Sequence, residues 1–243
     1  MRPITIALAI AVSLTSIQAG AQQQQSISDQ MTSNPVMGRL FTEMKTDFPD
    51  DFRGLVETYT KALQTGSRAD AEAIGFQYAR NVMISRLSDM ASAPTPQLLA
   101  LLGGQRDFIV ELQKENPAHC AAFGMSGLPM GAHLSPRALS MINDLAVVQF
   151  RAERAGIDHP TERSAITPDD VQGLRQAMAR GGASNDMIAL IFANPGLQAA
   201  SVKDQCDGSV VLYRGLGDLP PESGARVFST ILMATKGVMQ KNS

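Results

Sequence analysis

The chain of 243 residues carries 21 basic and 23 acidic side chains, and its formal net charge of −2 gives no electrostatic footprint for nucleic-acid binding. Hydrophobic residues make up 44% of the chain, aromatic residues only 5%, and tryptophan is absent. A core built from Ala, Leu, Ile, Val and Met favours helices over a sheet, and the length allows one large core.

The N-terminus has the three parts of a cleavable export signal. Basic Arg2 precedes an apolar stretch of about 11 residues, and small residues end at Ala21, just before Gln22. About 20 apolar residues are needed to span a bilayer, so this stretch is too short for a membrane anchor. We therefore predict a signal peptide at 1–21, cleavage between Ala21 and Gln22, and an exported mature protein without a membrane anchor. Its location would be periplasmic in a Gram-negative bacterium and extracellular otherwise.

The segment 22–33 follows the predicted cleavage site and begins with four glutamines. It is polar and shows no apolar periodicity, which is typical of a flexible leader. We expect the remainder, 34–243, to form a single helical domain.

Helix starts are the clearest local signal along this domain. A capping side chain followed by proline satisfies an N–H group at the start of a helix and presets the backbone. This pattern occurs at Asn34-Pro35, Thr95-Pro96, Ser135-Pro136 and Thr167-Pro168. At the last of these, Asp170 can accept a hydrogen bond from the Thr167 N–H group and complete a capping box. Ser67 and Asp70 have the same spacing and predict one more start.

Between these starts, apolar residues recur at helical spacing. The stretch after Thr95 predicts one helix, or two if Gly103-Gly104 breaks it. The wide apolar face of 136–156 predicts a central helix. Residues 187–192 suit a short buried helix or a buried strand, and 210–213 is the best strand candidate within a stretch that we favour as helical. The sum is an all-α, compact bundle of about seven to nine helices.

Cys120 and Cys206 are the two cysteines of the chain. An exported protein meets oxidising surroundings in which paired thiols persist, so we expect a disulfide between them. The bridge would close a loop of about 86 residues and stabilise the fold by about 4 to 5 kcal/mol on the chain-entropy model. A redox or nucleophilic thiol is the alternative, but no C-x-x-C spacing and no run of basic residues supports it.

Residues 119–133 form the region richest in metal-ligand types, and we expect a glycine-rich loop there. The candidate ligands are His119, Met125, Met130 and His133. Imidazole and thioether groups suit copper, but their spacing matches no compact ligand motif, and a bonded Cys120 could not ligate as a thiolate. We therefore expect no metal and no cofactor, and methionines that fill gaps under neighbouring helices.

The sequence contains no complete catalytic set, which leaves the function unassigned and three hypotheses open. The first is a non-enzymatic exported protein that binds an envelope protein or a small ligand. The second is a hydrolase or metal-binding protein whose site combines distant residues such as His119, His133 and Asp144. The third is a secreted effector or inhibitor. The sequence predicts no oligomeric state.

Overall fold

The computed structural model describes residues 21–240, except residues 36, 130 and 194. Within that part of the chain there are eleven α-helices, one short 3-10 helix and no β-strand. The helices are α1 (Ala21–Thr32), α2 (Gly38–Asp47), α3 (Pro49–Thr65), α4 (Arg68–Ala91), α5 (Thr95–Glu115), α6 (Pro117–Met125), α7 (Pro136–Asp158), α8 (Pro168–Arg180), α9 (Asn185–Phe192), α10 (Val202–Gly217) and α11 (Pro221–Gln240). The 3-10 helix is Gly196–Ala199.

The prediction of an all-α fold is confirmed, but the predicted count of about seven to nine helices is too low. Helices α1 and α6 account for the difference, because both form where the sequence indicated irregular structure. The predicted signal peptide, 1–21, lies outside the described residues except for Ala21. Among the described helices, none is both long enough and apolar enough to cross a membrane.

Helix α1 occupies the segment that the sequence predicted as a flexible leader, 22–33. Ile27 and Met31 lie one turn apart on the same face and are only 2% and 0% exposed. The helix packs against α2 and α3. Two apolar side chains at this spacing are enough to give a short helix a buried face, although the run of glutamines hides the pattern in the sequence.

Helix α6 replaces the first half of the loop expected at 119–133. The side chain of Asn116 accepts hydrogen bonds from the backbone N–H groups of Ala118 and His119, at 2.9 and 3.3 Å. Pro117 supplies the first helical position. Asn116 ends α5. It also starts the next one, because Asn and Pro together form an N-terminal cap.

The predicted capping side chains have different outcomes. Capping boxes form at Ser67 with Asp70 and at Thr167 with Asp170, and Ser135 accepts from the N–H of Ala138. Helix α5 begins at Thr95, but the Thr95 hydroxyl donates to Glu222 and does not cap the helix. The side chain of Asn34 accepts from Met37 N–H, and α2 begins only at Gly38.

The segments for which the sequence allowed more than one structure are all helical. Helix α5 runs without a break through Gly103-Gly104. Residues 187–192 lie in α9, and 210–213 lie in α10, so the strand alternatives for both are wrong. Val210 and Tyr213 are 2% and 6% exposed. Their burial against neighbouring helices outweighs the strand preference of β-branched and aromatic residues.

Helices α5 and α7 pack against each other at the centre of the bundle. Helices α1, α2 and α3 cover one side, where α2 contacts α7 and α3 contacts α4. Helices α6, α8, α9 and α10 cover another side, with α10 packed on α5, and α11 lies against α4 and α5. One hydrophobic cluster includes side chains from all eleven helices.

Helices α4 and α7 approach most closely where α7 carries a glycine. A Cβ atom on Gly156 would lie 1.8 Å from the backbone oxygen of Asp89 on α4. Just beyond α7, the segment 159–167 crosses the end of α4, where Arg163 donates to the carbonyl oxygens of Ala91 and Ala93. These contacts satisfy carbonyl groups at and just after the end of α4 and connect it to the segment that follows α7.

The predicted disulfide is present and joins α6 to α10. Cys120 and Cys206 are buried, and their Cα atoms are 5.2 Å apart. Near the bridge a Cβ atom on Gly124 would lie 2.2 Å from Oγ of Ser209. The two helices are therefore in close contact as well as covalently linked.

Candidate functional site

The described candidate ligands in 119–133 lie in different surroundings. His119 lies half-buried on α6, while His133 is exposed in the segment before α7. Met125 is buried, and its sulfur accepts a hydrogen bond from Ser209 at 3.9 Å. Met130 lies outside the described residues. Across the described ranges, no group of three or more His, Cys, Asp or Glu side chains could hold a metal ion.

Asp144, the carboxylate proposed for a distant catalytic set, is exposed on α7. Nη1 of Arg39 on α2 donates to its Oδ1 atom at 2.7 Å. Its side chain is 59% exposed, so this ion pair lies at the surface between two helices. The geometry is that of a surface contact between α2 and α7.

Sequence reasoning missed three buried polar side chains in the interior of the bundle. Gln105 on α5 is 4% exposed, and Gln149 and Glu153 on α7 are 6% and 1% exposed. Buried polar groups are usually hydrogen-bonded, and a buried carboxylate is rare unless it is paired. These side chains therefore mark the interior region where a function is best sought.

Glu153 lines a cleft that we name the Glu153 cleft. Its lining residues come from α2, α3, α4 and α7: Leu40, Met44, Leu55, Ala79, Val82, Met83, Ala146, Gln149, Phe150 and Glu153. The cavity volume is about 40 Å³, more than the roughly 10 to 15 Å³ that one water needs. Apart from Gln149 and Glu153, the wall is apolar.

Gln105 lines a neighbouring cleft, which we name the Gln105 cleft. It lies among α4, α5, α6, α7, α10 and α11, and its lining residues include Met83, Gln105, Gln149, Tyr213, Phe228 and Thr235. Its volume is also about 40 Å³. Burial raises the pKa of Tyr213 above its ordinary value, so this phenol stays neutral.

Met83 and Gln149 line both clefts. Methionine has an unbranched side chain with three rotatable bonds and adapts to irregular spaces. A change of the Met83 rotamer would therefore alter the division between the two clefts. The two clefts are therefore adjacent and share one adaptable apolar side chain and one amide.

The hydrogen bonds of the polar groups are incomplete. Nε2 of Gln149 donates to Oε1 of Glu153 at 3.0 Å, one helical turn away. Oε2 of Glu153 and Oε1 of Gln105 are buried without a hydrogen-bond partner among the described residues. A buried polar atom left unpaired costs about 1 to 3 kcal/mol. Both atoms are therefore available to a group that enters the clefts.

The electrostatics of Glu153 follow from its burial. Desolvation raises the pKa of this carboxyl to about 8, which the hydrogen bond from Gln149 and the charge of Arg86 only partly oppose. The carboxylates of Asp89 and Asp51 also contribute to this raised pKa. Glu153 is thus mainly protonated at neutral pH, and with Oε1 accepting from Gln149, its proton belongs on Oε2.

Similarity to known proteins adds nothing to this geometry. The chain matches no protein-family model, no curated protein and no solved structure.

The sequence of α7 does carry a signal for its two buried polar residues. Continuing the apolar face of α7 from Ile142 in steps of three or four residues gives 146, 149, 153 and 156, and all of these positions are buried. Following that face beyond Ala146 would have identified Gln149 and Glu153 as buried polar residues. Gln105 gave a comparable signal, because steps of three or four residues from Leu98 through 101, 105, 108 and 112 follow the buried face of α5.

Proposed function

We propose that this protein is a non-enzymatic binding protein whose ligand is a small, largely apolar molecule held in the Glu153 cleft. One observation supports this most strongly: Oε2 of Glu153 is buried in an apolar cleft without a partner among the described residues. Binding sites for small molecules are typically apolar concavities with a few convergent polar groups. A ligand that hydrogen-bonds Oε2 would offset the cost of its burial.

The lining of the two clefts suits binding better than catalysis. Its described residues supply amides, one carboxyl, a phenol and a hydroxyl, but no histidine, cysteine or serine. Nucleophilic catalysis needs a nucleophile within hydrogen-bond reach of a base. The clefts therefore favour a small ligand over the hydrolase alternative, and over an envelope protein as the direct occupant.

The test is a thermal-shift screen with small apolar molecules that each carry one polar group. A ligand that binds only the folded state raises the unfolding midpoint. At a ligand concentration about a hundred times the dissociation constant, the free energy of unfolding increases by about 2.7 kcal/mol. Ala79→Met would place a larger side chain on the cleft wall and abolish the shift. Ala69→Met makes the same change on the exposed start of α4 and should preserve it.

Two results would refute the proposal. One is a screen in which no compound raises the midpoint of the wild-type protein. The other is a compound whose shift survives Ala79→Met unchanged, because its site would then lie elsewhere.

We also propose that the protein is exported. The buried bridge between Cys120 and Cys206 supports this location, because structural disulfides persist in oxidising compartments and are rare in the cytosol. N-terminal sequencing of the protein purified from its native source should give a start at Gln22. An N-terminus at Met1, with the protein retained in the cytosolic fraction, would contradict it.

A further inference from the structure

The charges around Glu153 indicate what kind of polar group its ligand carries. Three ionisable side chains act on its carboxyl: Arg86 and Asp89 from α4, and Asp51 from α3. The acids of α2 act elsewhere, since Glu43 accepts from Arg151, an exposed residue of α7. The surroundings of Glu153 therefore hold two carboxylates and one cation.

That cation is already paired. Nε of Arg86 donates to Oδ2 of Asp51 at 2.9 Å, and Nη2 donates to the same oxygen. The guanidinium also lies over the ring of Phe48, 4.4 Å from its centroid. Arg86 is held by these contacts, and Glu153 is left without a positively charged partner among the described residues.

The geometry points to a primary ammonium ion with a short alkyl tail as the ligand of the Glu153 cleft, with its N–H groups on Glu153 Oε2. This inference rests on the proposed function and specifies its ligand. The tail would lie along the apolar wall formed by Leu40, Met44 and Leu55. Charge-assisted hydrogen bonds are roughly twice as strong as neutral ones, and a desolvated cleft strengthens them.

Other polar groups fit less well. A carboxylate ligand would bring a third negative charge toward Asp51 and Asp89, which is unfavourable. A neutral hydroxyl group would satisfy Oε2 but would leave the negative surroundings uncompensated. An ammonium ion satisfies the oxygen and supplies the missing charge.

Binding of the ammonium ion displaces a proton. Glu153 loses the proton on Oε2 to water, and the resulting carboxylate accepts an N–H group from the ligand. The ammonium ion keeps all its protons, and no covalent bond of the ligand changes. Since the pKa of Glu153 is about 8 in the unoccupied cleft, binding at neutral pH should release about one proton. Affinity should therefore rise about tenfold per pH unit up to roughly that pKa.

The experiment is isothermal titration calorimetry with propylamine and with propanol, a neutral molecule of matched length. Both are short, as the cavity volume of about 40 Å³ requires. Titrations at pH 6.5 and 7.5, each in two buffers of different ionisation enthalpy, give the number of protons released. For the wild-type protein we expect propylamine to bind more tightly than propanol, with about one proton released. The propylamine dissociation constant should fall about tenfold over this pH unit.

Glu153→Gln separates the charge of the residue from the shape of the cleft. This variant should bind propanol like the wild type, which shows that the cleft is intact. It should lose proton release and lower its propylamine affinity at least tenfold. Glu57→Gln removes an exposed carboxylate of α3 and should behave as the wild type.

The outcomes distinguish this inference from the proposed function. Wild-type protein that binds propanol as tightly as propylamine, or binds propylamine without releasing a proton, overturns the ammonium ligand but leaves a small-molecule site. An unchanged affinity and proton count in Glu153→Gln overturns it as well. If neither compound binds and no molecule in the thermal-shift screen does, the proposed function itself fails.

Discussion

Two acidic residues show how differently the fold treats a buried carboxyl group. Glu153 has one hydrogen bond from a neutral amide, and burial raises its pKa to about 8. Asp170 is 3% exposed, yet it accepts from Arg226, Ser223 and the Thr167 backbone, which lower its pKa. A cationic partner and several donors stabilise the charged form, whereas desolvation alone favours the neutral form.

Glu153 should make the stability of the protein decrease as pH rises. The pKa of this carboxyl is higher in the folded state than in the unfolded chain, so folding favours the protonated form. As pH rises, the carboxyl ionises first in the unfolded state, and the free energy of unfolding decreases. Relative to Glu153→Gln, the wild type should lose on the order of 3 kcal/mol between about pH 5 and pH 8. Urea unfolding at several pH values measures the difference. A difference that is constant over this range would contradict the raised pKa.

Asp170 should have the opposite pH dependence. Its pKa is lowered in the folded state, so its contribution is present at pH 7 and is lost as pH falls below about 4. At pH 7, Asp170→Ala should cost about 2 to 4 kcal/mol, because it removes the cap and leaves Arg226 unpaired. The neighbouring exposed Asp169→Ala serves as the control in chemical denaturation and should cost less than about 1 kcal/mol. Equal effects of the two substitutions would refute this role.

At the scale of the helices, local sequence signals predicted starts better than they predicted which segments are helical. The capping boxes at Ser67 and Thr167 could be predicted because each needs only two residues that are three positions apart. Helix α1 depends on Ile27 and Met31 finding partners on α2 and α3, a tertiary effect that periodicity over one short segment does not reveal. The Glu153 cleft forms where four helices meet, so only the residues that α7 contributes could be predicted from the sequence.

The crossing of α4 and α7 should be sensitive to one added methyl group. Gly156→Ala would place Cβ 1.8 Å from the backbone oxygen of Asp89, so the helices must separate, at a cost of about 1 to 3 kcal/mol or more. Gly103→Ala on α5 meets nothing within 4 Å and should instead stabilise by about 0.5 to 1 kcal/mol. Thermal unfolding of the two variants gives the comparison. Stabilisation by both would mean that α4 and α7 do not pack this closely.

On the scale of the whole molecule, one core and one covalent link hold the bundle together. Every helix contributes to a single hydrophobic cluster, and the disulfide joins α6 to α10 within it. Both features were predictable in outline, since composition indicated a helical core and the two cysteines allowed only one intramolecular pairing. The arrangement of the helices around α5 and α7 was not predictable, because it depends on contacts between residues far apart in the chain.

The disulfide should contribute substantially to stability. Changing Cys120 and Cys206 together to alanine should lower the free energy of unfolding by about 2 to 5 kcal/mol. Reductant should destabilise the wild type by a similar amount and leave the double variant unaffected, which urea unfolding would show. A wild type that is indifferent to reductant after complete thiol release would contradict this contribution.

The bridge also determines what a break in the backbone would do. The exposed stretch after α7, in 159–167, lies inside the loop of 86 residues that the bridge closes. A protease that cuts there would produce two fragments, one carrying Cys120 and the other Cys206, still tethered to each other. The nicked molecule would migrate as one band in a non-reducing gel and as two after reduction. All lining residues of the Glu153 cleft belong to the first fragment, and the tether would keep this fragment joined to α11, which packs on α4.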